Sequence, residues 1–365
     1  LLPSTDAPAA GRIDAIVVPT VRPAAYLRRI IPLARKLGCP LVTISSGQWT
    51  DKRRVRREAS EGGATPSELL AIDLPGPSSV RLPQLRTSAV LPPLFRRRAD
   101  TAIKRNLALA LSRMMRWDHV AFLDDDIEVG APDDLFRAAE LLGRYNAVGL
   151  DIRGMPDNSV VCHANRAVGG AQECFVGGGA LVIDAARTTS FFPDIYNEDW
   201  FFLLAPAGLR PVTMIGHAVQ EPYDPYRTPE RARQEELGDV LAEGVFWLLD
   251  ENGDLSGADE RYWRQFLGKR ARFINDILAR VPGIDVPPGE KQRMTAALKA
   301  ARGRLFRITP ELCVDYLRAW REDQEIWQDF MAGLDTAPQV RSPMDAVRRL
   351  SAPHGPKLTA LHLRP

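Results

Sequence analysis

Cysteine is scarce in this chain of 365 residues: there are four, Cys39, Cys162, Cys174 and Cys313, spaced so widely that no C-x-x-C pair occurs. That spacing argues against a cysteine-based zinc site and reads as buried or incidental thiols in a reducing compartment. No apolar stretch approaches the ~20 residues that span a bilayer. The first dozen residues lack the basic-then-apolar pattern of a signal peptide, so the expectation is a soluble, cytoplasmic protein. A surplus of one charge is missing as well, since 48 Lys and Arg face 46 Asp and Glu. Nothing general then favours nucleic acid or a membrane surface as partner. Two basic runs do stand out, "DKRRVRRE" at 51–58 and "LFRRRAD" at 94–100; they read as solvated surface, with a phosphate contact as the alternative. No internal repeat is visible.

What is present is alternation of strand-like and helix-like segments. "IDAIVV" at 13–18 is a continuous apolar run. A helical pattern follows over 23–37, with Pro23 suited to its first turn and Gly38 to its stop. "PLVTIS" at 40–45 reads as the next strand, which makes the opening a βαβ unit with parallel strands. Residues 60–98, rich in Gly, Pro, Ser and Arg, read as mobile loops around one short strand at "LLAIDL". Asp100 is placed to cap a helix through Met115, and "HVAFLD" follows as the central strand. Further expectations are a helix over 133–143 and strands at "AVGLDI" (147–152), "SVVCHA" (159–164), "ECFVGGGALVID" (173–184) and "RPVTMIG". Asn197 is read as the N-cap of a short helix. Beyond Tyr223 strands are expected to stop, and long helices to cover 228–250, 260–280 and 308–333. Length suggests about two structural units at ~150 residues each, and the alternation predicts an α/β fold with a mostly parallel sheet flanked by helices. The boundaries are drawn at 11–222 for the α/β unit, 223–337 for a helical region on the acceptor side or for self-association, and 338–365 for a basic tail, extended or poorly ordered. The apolar faces with Trp247, Trp263, Phe266, Trp320 and Trp327 read as core and interdomain packing.

The candidate chemistry starts at "VAFLDDDIEV" (120–129), where three carboxylates follow a buried strand. Side chains two apart on an extended segment point the same way, so Asp124 and Asp126 are expected to address one ligand while Asp125 points elsewhere. Oxygen-rich sets of this kind suit Mg²⁺ or Mn²⁺ with waters and phosphate oxygens completing the shell. The plain alternative is an acidic turn before the helix near Asp133. Pro19, Thr20 and Arg22 follow the first strand, where open α/β sheets bind ligands. Thr20 offers a hydroxyl and Arg22 a forked donor for phosphate or base. "VGGGAL" (176–181) puts Gly178 and Gly179 into an apolar strand, which suits close approach by a sugar or acceptor, or equally a bulge or tight packing.

These segments, in their order, resemble the GT-A-fold glycosyltransferases of the family 2 type. "VVPTVRP" (17–23) resembles the first strand and nucleotide-binding turn. "AIKRNLALALSRMMRWDHVAFLDDDIEV" (102–129) resembles the donor-site helix leading into the D-x-D strand. "FVGGGALVID" with "FFPDIYNEDWFF" (175–202) resembles the acceptor strand and Glu-Asp motif. The resemblance covers about 11–220. It implies a Rossmann-like GT-A domain that uses Mn²⁺ or Mg²⁺ to transfer sugar from a nucleotide-sugar donor to a hydroxyl of a discrete soluble acceptor, a small molecule or natural product. It implies a general base at Asp199, an acceptor-positioning role for Glu198, and donor contacts from Lys104 or Arg105, Asn106, Asp124, Asp125, Gly178 and Gly179. His217 is a candidate third metal ligand beside Asp124 and Asp126; that histidine is commoner in retaining enzymes, which leaves inverting and retaining outcomes both open.

The chain departs from the pattern in two places. "TISSGQWTD" stands where an acidic D-D-x-S is expected, leaving Ser45, Ser46 and Asp51 as substitutes, and no Q-x-x-R-W motif follows the Glu-Asp region, which speaks against a processive synthase. Two other readings stand beside the first. A sugar-1-phosphate nucleotidyltransferase requires a glycine-rich basic loop after the first strand, and "PTVRP" is too short and glycine-poor for one. A noncatalytic nucleotide-sugar-binding protein would bind donor and turn nothing over. Homo-oligomerisation is a further expectation for the helical region.

Overall fold

A computed structural model of the chain describes residues 11–61, 68–171, 176–251 and 253–363. The apolar run near the start forms β1 (Ala15–Thr20), buried throughout. A 3₁₀ turn at Ala24–Arg28 and α1 (Ile30–Leu37) follow, and Gly38 ends α1 in the left-handed conformation, φ 66°, with its N–H on the Ala34 and Arg35 carbonyls. Glycine adopts that conformation without a steric cost, as the sequence suggested. β2 (Leu41–Ser45), α2 (Lys52–Glu61) and β3 (Leu69–Asp73) extend the unit on one side of β1. Then α3 (Arg86–Val90) and α4 (Thr101–Met115) carry the chain to β4 (His119–Leu123), which pairs with β1 on its other side. Strand order therefore reverses between β1 and β4, and the crevice outside their carboxyl ends is where a fold of this kind binds ligands.

β5 (Ile127–Val129), α5 (Asp133–Leu141), β6 (Ala147–Arg153), α6 (Val160–Ala167), β7 (Ala180–Asp184), α7 (Glu198–Phe202), the short hairpin β8 (Leu204–Ala205) with β9 (Gly208–Leu209), and β10 (Val212–Gln220) complete the α/β part. Four long helices follow, α8 (Pro229–Asp250), α9 (Glu260–Arg280), α10 (Pro288–Leu305) and α11 (Pro310–Thr336), then α12 (Pro343–Leu350) and β11 (Thr359–Leu363). Nine strands form one sheet in the order β11-β3-β2-β1-β4-β7-β6-β10-β5. Six run in one direction, while β11, β7 and β5 run against their neighbours. The sheet is mostly parallel and covered on both faces, which explains why β1 and β4 read as unbroken apolar runs. Ile16 and Val18 of β1 face α1 and α5; Ala15 and Val17 face the side on which α4 and the four long helices pack.

Several expectations are corrected. "SVVCHA" is not a strand: Ser159 caps α6 by accepting the Cys162 N–H at 3.2 Å, and Val160, Val161 and Ala164 are buried at helical spacing. A short apolar run fits either period, and the cap decides it. Of "ECFVGGGALVID" only 180–184 is strand; residues 172–175, with Cys174, lie outside the described residues. Residues 68–98, read as mobile loops around one strand, carry β3, α3 and two 3₁₀ turns. Asp323 of α11 anchors α3 by accepting the Arg86 N–H, the Thr87 N–H and the Thr87 hydroxyl at 2.6–2.9 Å. Strands do not stop near Tyr223, since the segment read as an extended or poorly ordered tail carries α12 and pairs β11 antiparallel to β3. Trp263, Trp320 and Trp327 are fully buried, whereas Trp247 is exposed with the Lys269 ammonium 4.4 Å over its ring. No helix of the described residues is long and apolar enough to cross a membrane.

Candidate active site

β4 ends at Leu123, and the chain turns at once, with the Ile127 N–H on the Asp124 carbonyl at 3.1 Å. That turn breaks the two-residue alternation on which the D-x-D expectation rested. Asp125 and Asp126 share one partner, the Arg22 guanidinium, whose Nη1 lies 2.9 Å and 2.8 Å from their oxygens, and Asp124 takes another, Arg105 Nη2 at 2.9 Å. All three carboxylates line the same cleft. Their mutual repulsion is thus offset within the protein by two arginines. Burial nevertheless pushes Asp124 up to about 6 and raises Asp125, because desolvation outweighs the guanidinium beside each.

The end of β1 supplies the opposite lip. The Thr20 hydroxyl donates to Asp125 at 2.5 Å and accepts the Arg22 N–H at 3.1 Å. Pro19, Thr20 and Arg22 all line the cleft, and the Arg22 side chain is 38% exposed, so it is available to a ligand as well as to the acids. Lys104 is not. Its ammonium is buried and spends its three protons on the Thr20 carbonyl, the Ser46 hydroxyl and Asp100, all within 2.8 Å. Asp100 accordingly stands before α4 without capping it by side chain. Asn106 exchanges two hydrogen bonds of 2.8 Å with the backbone of Phe192, a structural role. Of the substitutes for the acidic motif after β2, Ser46 holds Lys104, Ser45 is buried, and Asp51 accepts the N–H groups of Arg53 and Arg54 as α2 begins.

The glycine run answers to tight packing. A Cβ at Gly178 would come within 2.6 Å of Arg105 Nη1 and 2.8 Å of the Asp199 Cβ; one at Gly179 would come within 3.2 Å of Asp124 Oδ2. Asp199 accepts the Gly178 N–H at 2.6 Å and the Trp200 N–H at 3.0 Å, one on each oxygen. Burial, then the neighbouring Glu198 charge, push it up to about 6. Glu198 is an ion-pair hub, with Arg97 at 3.0 Å and Arg105 at 3.2 Å. Arg105 therefore bridges the acidic turn and the Glu-Asp helix. Asn197 precedes that helix but does not cap it: its φ is 60°, and its amide donates to Asp239 of α8 at 3.0 Å.

His217 is not among the residues that line the cleft. Alternation along β10 sends it to the face opposite Gln220, whose amide reaches Asp126 at 3.3 Å, and its Nε2 lies 4.0 Å from where a Cβ on Gly130 would stand. Among the described residues no three His, Cys, Asp or Glu side chains are arranged to hold a metal. Asp124 and Asp126 both line the cleft, so the chemistry of this donor set fits a divalent cation held by one or two carboxylates with waters and ligand phosphates completing the shell only if the ion displaces Arg105 or Arg22 from them. They do not fit an all-protein cage.

The cleft measures about 650 Å³. Its far wall comes from the helical region, which sequence reasoning left without site residues: Tyr223, Asp224, Thr228, Glu230, Gln234 and Glu235, with Arg227 and Arg231 among them. Arg97 and Tyr196 also line it; Glu198 and Asp199 are not among the lining residues, Glu198 being buried and Asp199 half-buried. Arg97 lay in a basic run read as solvated, yet its side chain is 15% exposed. The only sequence signal for the far wall is its mixture of tyrosine and charge immediately after the last central strand.

No protein-family model matches the chain, and no curated protein matches it. Among solved structures, a mannosyltransferase from Pyrobaculum calidifontis in complex with GDP-Man and Mn2+ is similar over 93% of this chain and 88% of its own, at 16% identity and a TM-score of 0.42. A197 from STIV is similar over 56% of this chain and 83% of its own, at 15% identity and a TM-score of 0.29.

Proposed function

We propose that the protein is a glycosyltransferase of GT-A type that moves a sugar from a nucleoside-diphosphate donor to a hydroxyl of a discrete polar acceptor. The observation that carries this reading is the acidic turn Asp124–Asp126 at the carboxyl end of β4, facing Arg22 and Thr20 across the point where strand order reverses, in one cleft. Diphosphate recognition needs cationic and hydroxyl groups beside oxygen ligands for a divalent ion, and this lip offers all three. Asp124 and Asp126 would hold Mn²⁺ or Mg²⁺, which supplies Lewis-acid stabilisation of the departing phosphate charge. Arg22 binds phosphate oxygens as a forked donor. Asp199, still with a lone pair on each oxygen, takes the acceptor hydroxyl's proton as that oxygen attacks the anomeric carbon and the bond from that carbon to the diphosphate oxygen breaks. A carboxylate poised near pH 6 suits this task better than an ordinary aspartate. In-line attack with such a base inverts the anomeric centre, and the position of His217 gives the retaining alternative no support. Polar and tyrosine side chains on the far wall favour a hydroxyl-rich acceptor over a lipid chain.

Incubation with UDP-, GDP-, ADP- and dTDP-sugars and Mn²⁺ should give slow donor hydrolysis without acceptor, abolished by chelation. Silence with every donor, together with no nucleoside diphosphate binding by calorimetry, refutes the assignment.

A further inference from the structure

Asn197 is one of two non-glycine residues at positive φ among the described residues, and it stands directly before Glu198 and Asp199. Its left-handed backbone, φ 60° and ψ 36°, sets the direction in which both carboxylates leave the chain. Asparagine tolerates this region better than most residues, yet it still needs holding there. The holder is α8. Asn197 Nδ2 donates to Asp239 Oδ1 at 3.0 Å, and Arg270 Nη2 of α9 donates to the other oxygen of Asp239 at 2.8 Å. The Ser159 hydroxyl adds a third hydrogen bond to the same carboxylate. Arg270 is itself immobilised by Glu236, at 3.0 and 3.1 Å, and by Glu243. One residue earlier on α8, a Cβ at Gly238 would come within 2.1 Å of the Tyr196 carbonyl oxygen, so the helix meets the loop at backbone contact. Adjacent residues of α8 thus touch adjacent residues of the loop, one by shape and one by hydrogen bond.

We propose that Asp239 is a positioning residue for the transfer reaction: braced by Arg270, it clamps Asn197 in the left-handed conformation and so aims Asp199. This rests on the reading of Asp199 as the base. An aspartate can serve all three donors because both of its oxygens accept. Asparagine at 239 has one acceptor oxygen, which the charged Arg270 claims in preference to a neutral amide. Asp239→Asn therefore frees Asn197 while preserving shape. A glycine at 197 takes the left-handed conformation without a clamp.

The test is a double-mutant cycle on Asp239→Asn and Asn197→Gly, read by steady-state kinetics and by crystal structures. Misaiming a base is expected to lower kcat by about tenfold or more while leaving donor KM within about twofold. In the Asn197→Gly background the same Asp239→Asn change should cost less than about twofold, because the clamp is no longer needed. An equal loss in both backgrounds, or a change confined to KM, overturns the clamp. Should Asp239→Asn fail to fold, Asn197→Ala takes its place; unchanged kcat in that variant also overturns it. If the wild-type enzyme turns over no donor, the glycosyltransferase reading falls, and the structures still decide the clamp. They support it if residue 197 leaves the left-handed region in Asp239→Asn and overturn it if it stays.

Discussion

Asp199 is the carboxylate proposed as the base. Its close packing against Gly178 and its two backbone donors orient it, and desolvation raises its carboxyl to about 6. The active form of a base is the ionised one, so transfer should run above about pH 6 and fall away below it, giving an acid limb in the kcat/KM profile. Asp199→Asn removes the base while keeping shape and should lower transfer by about 10²–10⁴-fold; near-normal donor affinity by calorimetry would accompany the loss. A variant that transfers normally, or one that no longer binds donor, contradicts the role. Arg105 was legible only as an alternative to Lys104. Which of two adjacent cations on α4 bridges the acids depends on where that helix is rotated against the sheet, and Lys104 turns inward to the end of β1 instead.

At the scale of elements, α8 and α11 show how the helical region is tied to the α/β part. Asp323 of α11 is fully buried and caps α3 from 236 positions away. Asp323→Ala strands two N–H groups and a hydroxyl, and should cost about 3 kcal/mol in denaturant unfolding. An unchanged midpoint would show that water replaces the carboxylate. On α8, Glu236, Asp239 and Glu243 converge on the single guanidinium of Arg270. Burial therefore pushes Glu243 up to about 7 from an ordinary 4.5. The folded state keeps a proton that the unfolded chain gives up at lower pH, so this group's stabilisation is complete below about pH 4.5 and is lost as pH rises through about 7. Glu243→Gln stays neutral, and its Tm should gain on the wild type by roughly 2–4 °C between pH 5 and pH 8. A constant difference across that range would mean that Glu243 is ionised throughout. The helix periods of α8 and α9 were legible in the sequence; an acidic stripe facing one arginine on the next helix was not.

Over the whole molecule, the nine-stranded sheet is completed by its most distant segment. β11 covers the edge of β3, whose Leu70 and Ile72 would otherwise border an unpaired row of backbone groups. Removing residues 358–365 should expose that edge, lower Tm and promote association visible by light scattering. A monomeric product with unchanged Tm would show β11 to be dispensable. Only tertiary pairing reveals this strand, because five residues after a Pro- and Gly-containing stretch carry too little pattern to announce themselves.

By itself the sequence determined β1, α1, β2, β3, α4 and β4 in their order, the glycine stop of α1, and an acidic turn at the end of a buried strand. Each of these follows from local causes: hydrophobic period, backbone preference and the cost of burying charge. Tertiary structure decided which charge meets which. Arg22 reaches Asp125 across 103 positions, Arg105 reaches Glu198 across 93, and Asp239 reaches Asn197 across 42. It also brought the start of α8 into the cleft, whose lining does not include His217. Ion pairs and hydrogen bonds act at the length of a side chain in space, a distance the linear order of residues does not encode.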